Sequence, residues 1–370
     1  MSNITMLSVD STFLSSILYE GYLRYLKHKS LLNSFEEVSS RILELKATSK
    51  SYRLNLATND FMRPKSPIQL ILKERITDLF DDEAIKKIRD LCEIVKITES
   101  TLSVSMKGSG MYIGKNPIYT AIQIFKLDRY TGFTSLEGRY TLGQYRLMLS
   151  IDTYLLGFIG LYSSYITRIR LNGDDEYYFL TFSPDEIANL LYQEQGLTEA
   201  YFIIKDYVIQ QLRNILQKIR MDEAWILDLY LNTSIYSKMF ENVISKISLT
   251  LFNIRLERRQ TYKIYQILPI TIYGEPPFMN ILVKYLPEYS KRSEFLSKLR
   301  SSLGKIINKL PNTDLAEWSN LINAVRGLYN FVMLGNPSGL YIFARELANA
   351  YEKSGNESYQ EILSQLSWCF

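Results

Sequence analysis

Residues 153–167, TYLLGFIGLYSSYIT, run for fifteen residues without a charge. The run is too short to cross a bilayer, which takes about 18–20 apolar residues, and Ser163-Ser164 interrupts it. A helix that is apolar all round must be covered on every side, so this segment is expected to be a buried helix. The segments after it are equally constrained. YITRIRL and YYFLTF flank NGDDE, and Asn172-Gly173 is a strong turn dipeptide, so a β-hairpin is expected. SPDE then opens a helix: Ser183 caps it, Pro184 takes the first helical position and Glu186 reaches back as a capping box.

The first half mixes both kinds of element. STFLSSILYEGYLRYL has helical period, with Phe13, Ile17, Leu18 and Gly21 on one side. YRLNLAT and TLSVSM alternate as half-buried strands do. FDDEAIKKIRDLCEIV has acids in its first turn and an apolar stripe through Ile85, Ile88, Leu91, Cys92 and Val95, which predicts an amphipathic helix. NPIYTAIQIFKLDRYTGFTSL reads as one or two strands. From about Leu197 the chain reads almost wholly helical, beginning with Tyr201, Ile204, Val208, Leu212, Ile215 and Ile219. ILPITIYGEPPF breaks that pattern as a connection. Near the end, Asp314 caps a helix with the stripe Trp318, Leu321, Ile322, Val325, Leu328, Tyr329 and Val332. Gly335 stops it, and a second stripe runs from Leu340 to Tyr351. These aromatic stripes are core rather than a cofactor box. At 370 residues the chain is long enough for two or three domains. The expected class is α+β, with a mixed α/β N-terminal domain over residues 1–195 and an all-helical C-terminal bundle over 196–370.

Three glycines and two lysines crowd MKGSGMYIGKNP. A P-loop aligned on Gly114-Lys115 would have Ser109 in place of its first glycine, Asn116 in place of its hydroxyl residue, and Pro117 where a helix should start. A dinucleotide fingerprint would need glycine at Ile113. Both motifs fail, leaving a glycine-rich hairpin loop or a basic loop that touches phosphates. Other catalytic material is sparse. His28 is the one histidine, which excludes multi-histidine metal sites and works against a Ser-His-Asp triad. Its expected place is a solvated helix surface. The acidic groups Asp81-Asp82-Glu83, Asp174-Asp175-Glu176 and Asp222-Glu223 fall at helix starts or in a turn. Cys92 and Cys369 form no zinc pattern, and no basic n-region opens the chain, so a reducing cytoplasm is expected. No catalytic residue, metal ligand or cofactor is assigned.

Net charge is only +4, so a nucleic-acid surface must come from local patches. Arg168 and Arg170 project from one face of a predicted strand, with Tyr177 and Phe179 expected on its partner; arginines and aromatics on a sheet either grip a nucleic-acid strand or form an ordinary exposed face. Arg213 and Arg220 share a helix face. RLERRQTYK adds Arg255, Arg258, Arg259 and Lys263, read as a further basic helix or simply a solvated one. Arg63 and Lys65 make a basic loop in MRPK. Lys107, Lys115 and Asn116 stand in the glycine-rich stretch.

A strand-rich half ending in EYYFLTFSPDEI and a helical half ending in VRGLYNFVMLGNPSGLYIFAREL together resemble the large subunit of the archaeal type I-A CRISPR interference complex, the Cascade. The Tyr, Ile and Lys richness, with one His and two Cys, fits a thermophile. The resemblance implies a non-enzymatic subunit that inspects duplex DNA for the adjacent motif and helps hold the opened strands. It implies as partners a guide RNA, the target double-stranded DNA, the backbone and foot subunits, and a recruited helicase-nuclease, with no membrane involved. In guide-directed systems base pairing reads the sequence and protein reads the adjacent motif. Two other classes remain: a stand-alone nucleic-acid-binding or scaffold protein of a thermophilic archaeon or its virus, and a metal-dependent nuclease whose acids converge from distant positions.

Overall fold

The computed structural model describes residues 5–48, 52–107, 110–130, 146–171, 173–193, 195–218, 221–310 and 313–366. The chain divides into two compact units: residues 1–199 with 248–271, and residues 200–247 with 272–370. The class is α+β, with a helical C-terminal region.

The first unit runs β1 (Thr5–Met6), α1 (Phe13–His28), α2 (Leu31–Thr48), α3 (Thr58–Phe61), α4 (Pro67–Leu72) and α5 (Asp82–Ile94). It continues through β2 (Ser103–Lys107), β3 (Gly110–Ile113), β4 (Tyr119–Thr120), β5 (Arg146–Leu149), α6 (Ile151–Ser164), β6 (Tyr165–Leu171), β7 (Asp174–Phe182) and α7 (Pro184–Leu191). Two later strands complete it, β8 (Lys246–Glu257) and β9 (Thr261–Tyr273). They form a five-stranded sheet in the order β1-β2-β3-β5-β4 and a four-stranded sheet in the order β6-β7-β8-β9.

α6 is the uncharged run, and all its residues beyond Ile151 are buried. Ser150 caps it, and the Ser150 amide donates to Ile113 O at 3.0 Å, tying the helix start to β3. Its last residue is followed directly by β6, with no loop between them. α1 lies against it at backbone distance. A Cβ on Gly21 would overlap the Leu156 carbonyl, and one on Gly160 would overlap that of Ile17. The close approach also encloses charge. Arg24 is fully buried and donates to Ser163 Oγ at 2.7 Å. Glu37 on α2 gathers Arg24 at 3.1 Å, Lys27 at 2.7 Å and His28 Nε2 at 2.6 Å. Burial pushes the Glu37 carboxyl up, but Arg24, Lys27 and His28 outweigh burial and hold it at about 2. The solvated surface expected for His28 is therefore corrected: the half-buried ring is hydrogen-bonded to Glu37 at the α1–α2 contact.

The hairpin expected after α6 is β6–β7, antiparallel from Leu171↔Asp174 back to Tyr165↔Phe179. Phe179 and its β8 neighbour Phe252 both pack edge-on against Phe13 of α1, with centroids 5.3 and 5.2 Å apart. Ser183 caps α7 as expected, accepting from the Glu186 amide. The Ser183 amide donates to Ser248 O at 2.9 Å and Glu186 Oε2 accepts from the Ser248 amide at 2.8 Å, so both ends of the expected box fasten β8 to the helix start.

Other expectations are corrected. YRLNLAT forms only an isolated bridge, Asn55↔Asp78, because Asp78 takes the Leu54 amide at 2.9 Å in place of a ladder. The segment after Pro117 gives β4 and then 3₁₀ turns over Gln123–Tyr130; residues 131–145 lie outside the described part. The all-helical bundle expected over residues 196–370, with ILPITIYGEPPF as a mere connection, instead contains β8 and β9, which are twelve and thirteen residues long.

The second unit is helical. The C-terminal part of α8 (Gln195–Leu216) is followed by α9 (Asp222–Tyr230), α10 (Thr233–Glu241), α11 (Pro277–Tyr285) and α12 (Tyr289–Lys309). The hairpin pair expected near the end is α13 (Leu315–Leu334) and α14 (Ser338–Ser354), and α15 (Glu357–Leu366) closes the chain. Asp314 caps α13, and Gly335 ends it in the left-handed region at φ 62°. Leu321, Val325, Leu328 and Val332 are buried as the stripe requires, whereas Trp318 is 45% exposed.

Gly160→Ala should destabilise the first unit by about 2–3 kcal/mol, the upper range for overpacking, because backbone has to move. Gly304→Ala on α12, where a Cβ would meet nothing, should instead stabilise its unit by about 1 kcal/mol through helix propensity. Denaturant midpoints of the two variants check the opposite signs.

Candidate nucleic-acid interface

The β6–β7 and β8–β9 turns lie at the same end of the four-stranded sheet. β6 ends at Leu171, β7 begins at Asp174, β8 ends at Glu257 and β9 begins at Thr261. The β8–β9 connection is a two-residue turn in which the Gln260 amide donates to Glu257 O at 2.9 Å. Arg258 and Arg259 occupy its centre at φ 47° and 57°. This is a type I′ pattern, which asks for Asn-Gly because both central residues are left-handed. Arginine there costs roughly 1–2 kcal/mol per residue.

Two further segments hold that turn. The Arg258 amide donates to Asp174 Oδ1 at 3.1 Å. The amide and hydroxyl of Thr58 both donate to Arg259 O, at 2.8 and 2.7 Å. Thr58 starts α3, and the chain leaves α3 into the basic loop Arg63-Pro64-Lys65. Lys65 is itself left-handed at φ 61°. That loop is anchored at its base: Asp60 accepts from the Gln123 amide with both oxygens, at 3.1 and 3.0 Å, and Gln69 Nε2 donates to Phe61 O at 3.0 Å. Two basic stretches nearly two hundred residues apart in sequence thus share one edge. Arg63, Lys65, Arg170, Arg258 and Arg259 are all exposed there, and none has an ion-pair partner among the described residues.

The arginines that lie on the sheet itself are different. Arg168 meets Asp175 at 2.7 Å, and Asn55 also donates to that carboxylate. Arg255 binds Glu176, with Nε at 3.0 Å, and stacks on Tyr265 with its guanidinium 3.9 Å from the ring centroid. Asp175 and Glu176, expected in an exposed turn, are buried strand residues. Tyr177 does pair with Arg168 across the hairpin, but Tyr177 and Phe179 are fully buried, so they offer no face for stacking bases. Lys263, exposed on β9, is paired with Glu257 at 2.8 Å. RLERRQTYK is therefore a strand–turn–strand rather than a helix.

The remaining residues lie elsewhere. Arg213 is half-buried on α8 in the second unit, and Arg220 lies outside the described residues. Lys107 ends β2, exposed. Lys115 and Asn116 are exposed in the turn after β3, with Asn116 left-handed at φ 54°. The glycine before them has a packing role. Gly114 is at φ 92°, its amide donates to Ser103 O at 2.8 Å, and a Cβ would strike the Ser150 and Thr153 hydroxyls at the start of α6. That helix start is already capped by Ser150.

The described acids are held by local partners. Asp78 accepts from the Leu54 and Phe80 amides, and Asp175 from Arg168 and Asn55. Among the described residues, no three His, Cys, Asp or Glu side chains are placed to hold a metal ion together. Burial pushes the Asp60 carboxyl up to about 7, against the lowering effect of the Gln123 amide and Lys126. The second unit has a cavity of about 540 Å³ lined by Tyr236, Phe240, Met279, Val283, Tyr289 and Leu296, which no motif pointed to; Glu241, Glu275 and Arg292 also line it.

Replacing the strained turn by Arg258→Asn with Arg259→Gly should stabilise the protein by about 1–2 kcal/mol while removing two cations, as measured by denaturant unfolding. Asp60 gives a pH signature. Its folded-state pKa lies above the ordinary 3.8, so its contribution is full below that value and is lost as pH rises toward about 7. Stability should fall across that window with a slope of up to about 1.4 kcal/mol per pH unit from this group, and Asp60→Asn should flatten it. Glu37 acts in a separate window, its contribution being lost as pH falls from 4.5 toward about 2.

No known protein-family profile matches the chain, and no solved structure matches it. A protein of Archaeoglobus fulgidus, described as an uncharacterized protein, is 34% identical over 389 aligned positions that take in 97% of each chain. An alignment of that extent passes through both units, the interrupting strands included. The chain belongs to the same family as this Archaeoglobus protein.

Proposed function

We propose that the chain is a nucleic-acid-binding protein with no catalytic centre of its own, working as the large subunit of a CRISPR RNA-guided DNA surveillance complex. The observation that carries this reading is the basic edge. Arg63 and Lys65 share it with Arg258 and Arg259, and among the described residues these cations lack the carboxylate partners that Arg168 and Arg255 have. Unpaired cations on a rigid rim suit a phosphate backbone, where each contact releases counterions. The strain held in the Arg258-Arg259 turn points the same way, since left-handed non-glycine residues persist where function uses them. In the proposed complex this edge lies along duplex DNA beside the adjacent motif, base pairing with the guide RNA reads the target, and a recruited helicase-nuclease does the cutting. No helix among the described residues is long and apolar enough to cross a membrane.

Two measurements test this. Exchanging Arg63, Lys65, Arg258 and Arg259 for glutamine leaves the backbone strain unchanged and removes only charge. Removal of each true phosphate-binding cation should flatten the log–log salt dependence of duplex binding by about 0.9; an unchanged slope in a folded variant refutes the interface. Purification of the tagged chain from its native host should bring down short RNAs of uniform length with a repeat-derived end. A chain that comes down alone, or with RNA of random length, refutes the surveillance-complex assignment and leaves a stand-alone binding protein.

A further inference from the structure

Along β3 and β5 the five-stranded sheet has one covered and one open face, and register says which residues share the open one. Lys107 of β2 pairs with Gly110 of β3, which pairs with Arg146 of β5. Two residues along, Ser105 pairs with Tyr112, Tyr112 with Met148, and Met148 with Thr120 of β4. Directly paired residues point to the same side of a sheet, and so do residues two apart on one strand. On the opposite side, Ile113 pairs with Leu149, and both are buried in the core together with Leu147. The other side is open: Ser105, Lys107, Thr120 and Arg146 are exposed, and Tyr112 and Met148 are half-exposed.

Two details make this more than a bare sheet face. The phenol end of Tyr112 reaches over Gly110, so that a Cβ at position 110 would come within 2.8 Å of the ring. The glycine gives the ring a seat. Lys107 and Arg146 flank that seat on the neighbouring strands, about 10 Å apart across two strand spacings, and neither has an ion-pair partner among the described residues. An aromatic platform between two unpaired cations is the arrangement that holds single-stranded nucleic acid, with a base on the ring and phosphates on the cations.

We propose that this face binds a single-stranded polynucleotide, with Tyr112 stacking on a base and Lys107 and Arg146 meeting the phosphates on either side. The proposal assigns a site distinct from the basic edge and stands on register and exposure, independent of the duplex reading above.

The test is fluorescence anisotropy of the full chain with labelled oligothymidylate, oligouridylate and a duplex. Tyr112→Ala should weaken single-strand binding at least about fivefold, whereas Tyr112→Phe, which keeps the ring, should bind as the unaltered protein does. Lys107→Gln and Arg146→Gln should each flatten the single-strand salt slope by about 0.7. Gly110→Ala displaces the ring without touching a charge and should weaken binding in the same sense as Tyr112→Ala. The four-fold glutamine variant of the basic edge should lose duplex binding and keep single-strand binding, which separates the two sites. Comparing thymidylate with uridylate assigns the strand to DNA or RNA. Absence of single-strand binding, or an affinity indifferent to Tyr112→Ala in a folded protein, overturns the proposal, as does a loss shared equally with the basic-edge variant.

Discussion

The first unit depends on two helix backbones touching. Gly21 and Gly160 let α1 and α6 approach until each glycine faces a carbonyl of the other helix. Everything charged on the inner side of α1 is positioned by that approach. Arg24 reaches Ser163 because no side chain separates the helices, and from there the network extends to Glu37 on α2. α6 then passes straight into β6, so its orientation is handed to the four-stranded sheet without an adjustable loop. Phe13 at the start of α1 closes the circuit by packing on Phe179 and Phe252. One close approach thus fixes a helix pair, a buried ionic group and the placement of a sheet.

Much of this was written locally. The cap at Ser183, the cap at Asp314, the left-handed stop at Gly335 and the left-handed Gly173 of the β6–β7 hairpin all arise from short-range chemistry that acts the same way in any context. The β8–β9 hairpin was hidden for a definite reason. Its turn is Arg-Arg, which carries the signature of a solvated helix and none of a type I′ turn. The surviving signal was alternation: Tyr262, Ile264, Leu268, Ile270 and Ile272 recur at even spacing, and Pro269 is tolerated because β9 is an edge strand. The tie between Thr58, four residues before MRPK, and the Arg-Arg turn was not legible at all, since a hydrogen bond from Thr58 to Arg259 leaves no trace in either stretch. Nor could charge alone tell Arg168 from Arg170. Both lie on the face that Asp175 shares, and Asp175 stands directly across from Arg170 yet pairs diagonally with Arg168.

The distribution of charge obeys a simple rule in this fold. Arginines in the body of the sheet sit beside buried acids, where an unpaired cation would be costly. Those on turns and loop tips keep their charge in water. The same residue type is therefore structural at Arg168 and Arg255 and available at Arg170, Arg258 and Arg259. Counting basic residues in a sequence cannot make this distinction; burial and register can.

The interruption by β8 and β9 has a consequence for how the chain comes into being. The first unit is complete only when residues 248–271 have joined it. A ribosome delivering the chain from its N-terminus releases the β6–β7 hairpin long before β8, and β7 waits as an open edge with Phe179, Leu180 and Phe182 on a strand that the finished sheet buries. Part of the second unit's sequence, including α8, α9 and α10, emerges during that interval. The two units cannot mature one after the other as a vectorial order would have it. Their synthesis is interleaved, and the exposed β7 edge during translation is the natural place for a chaperone, or a wrong strand, to engage the nascent protein.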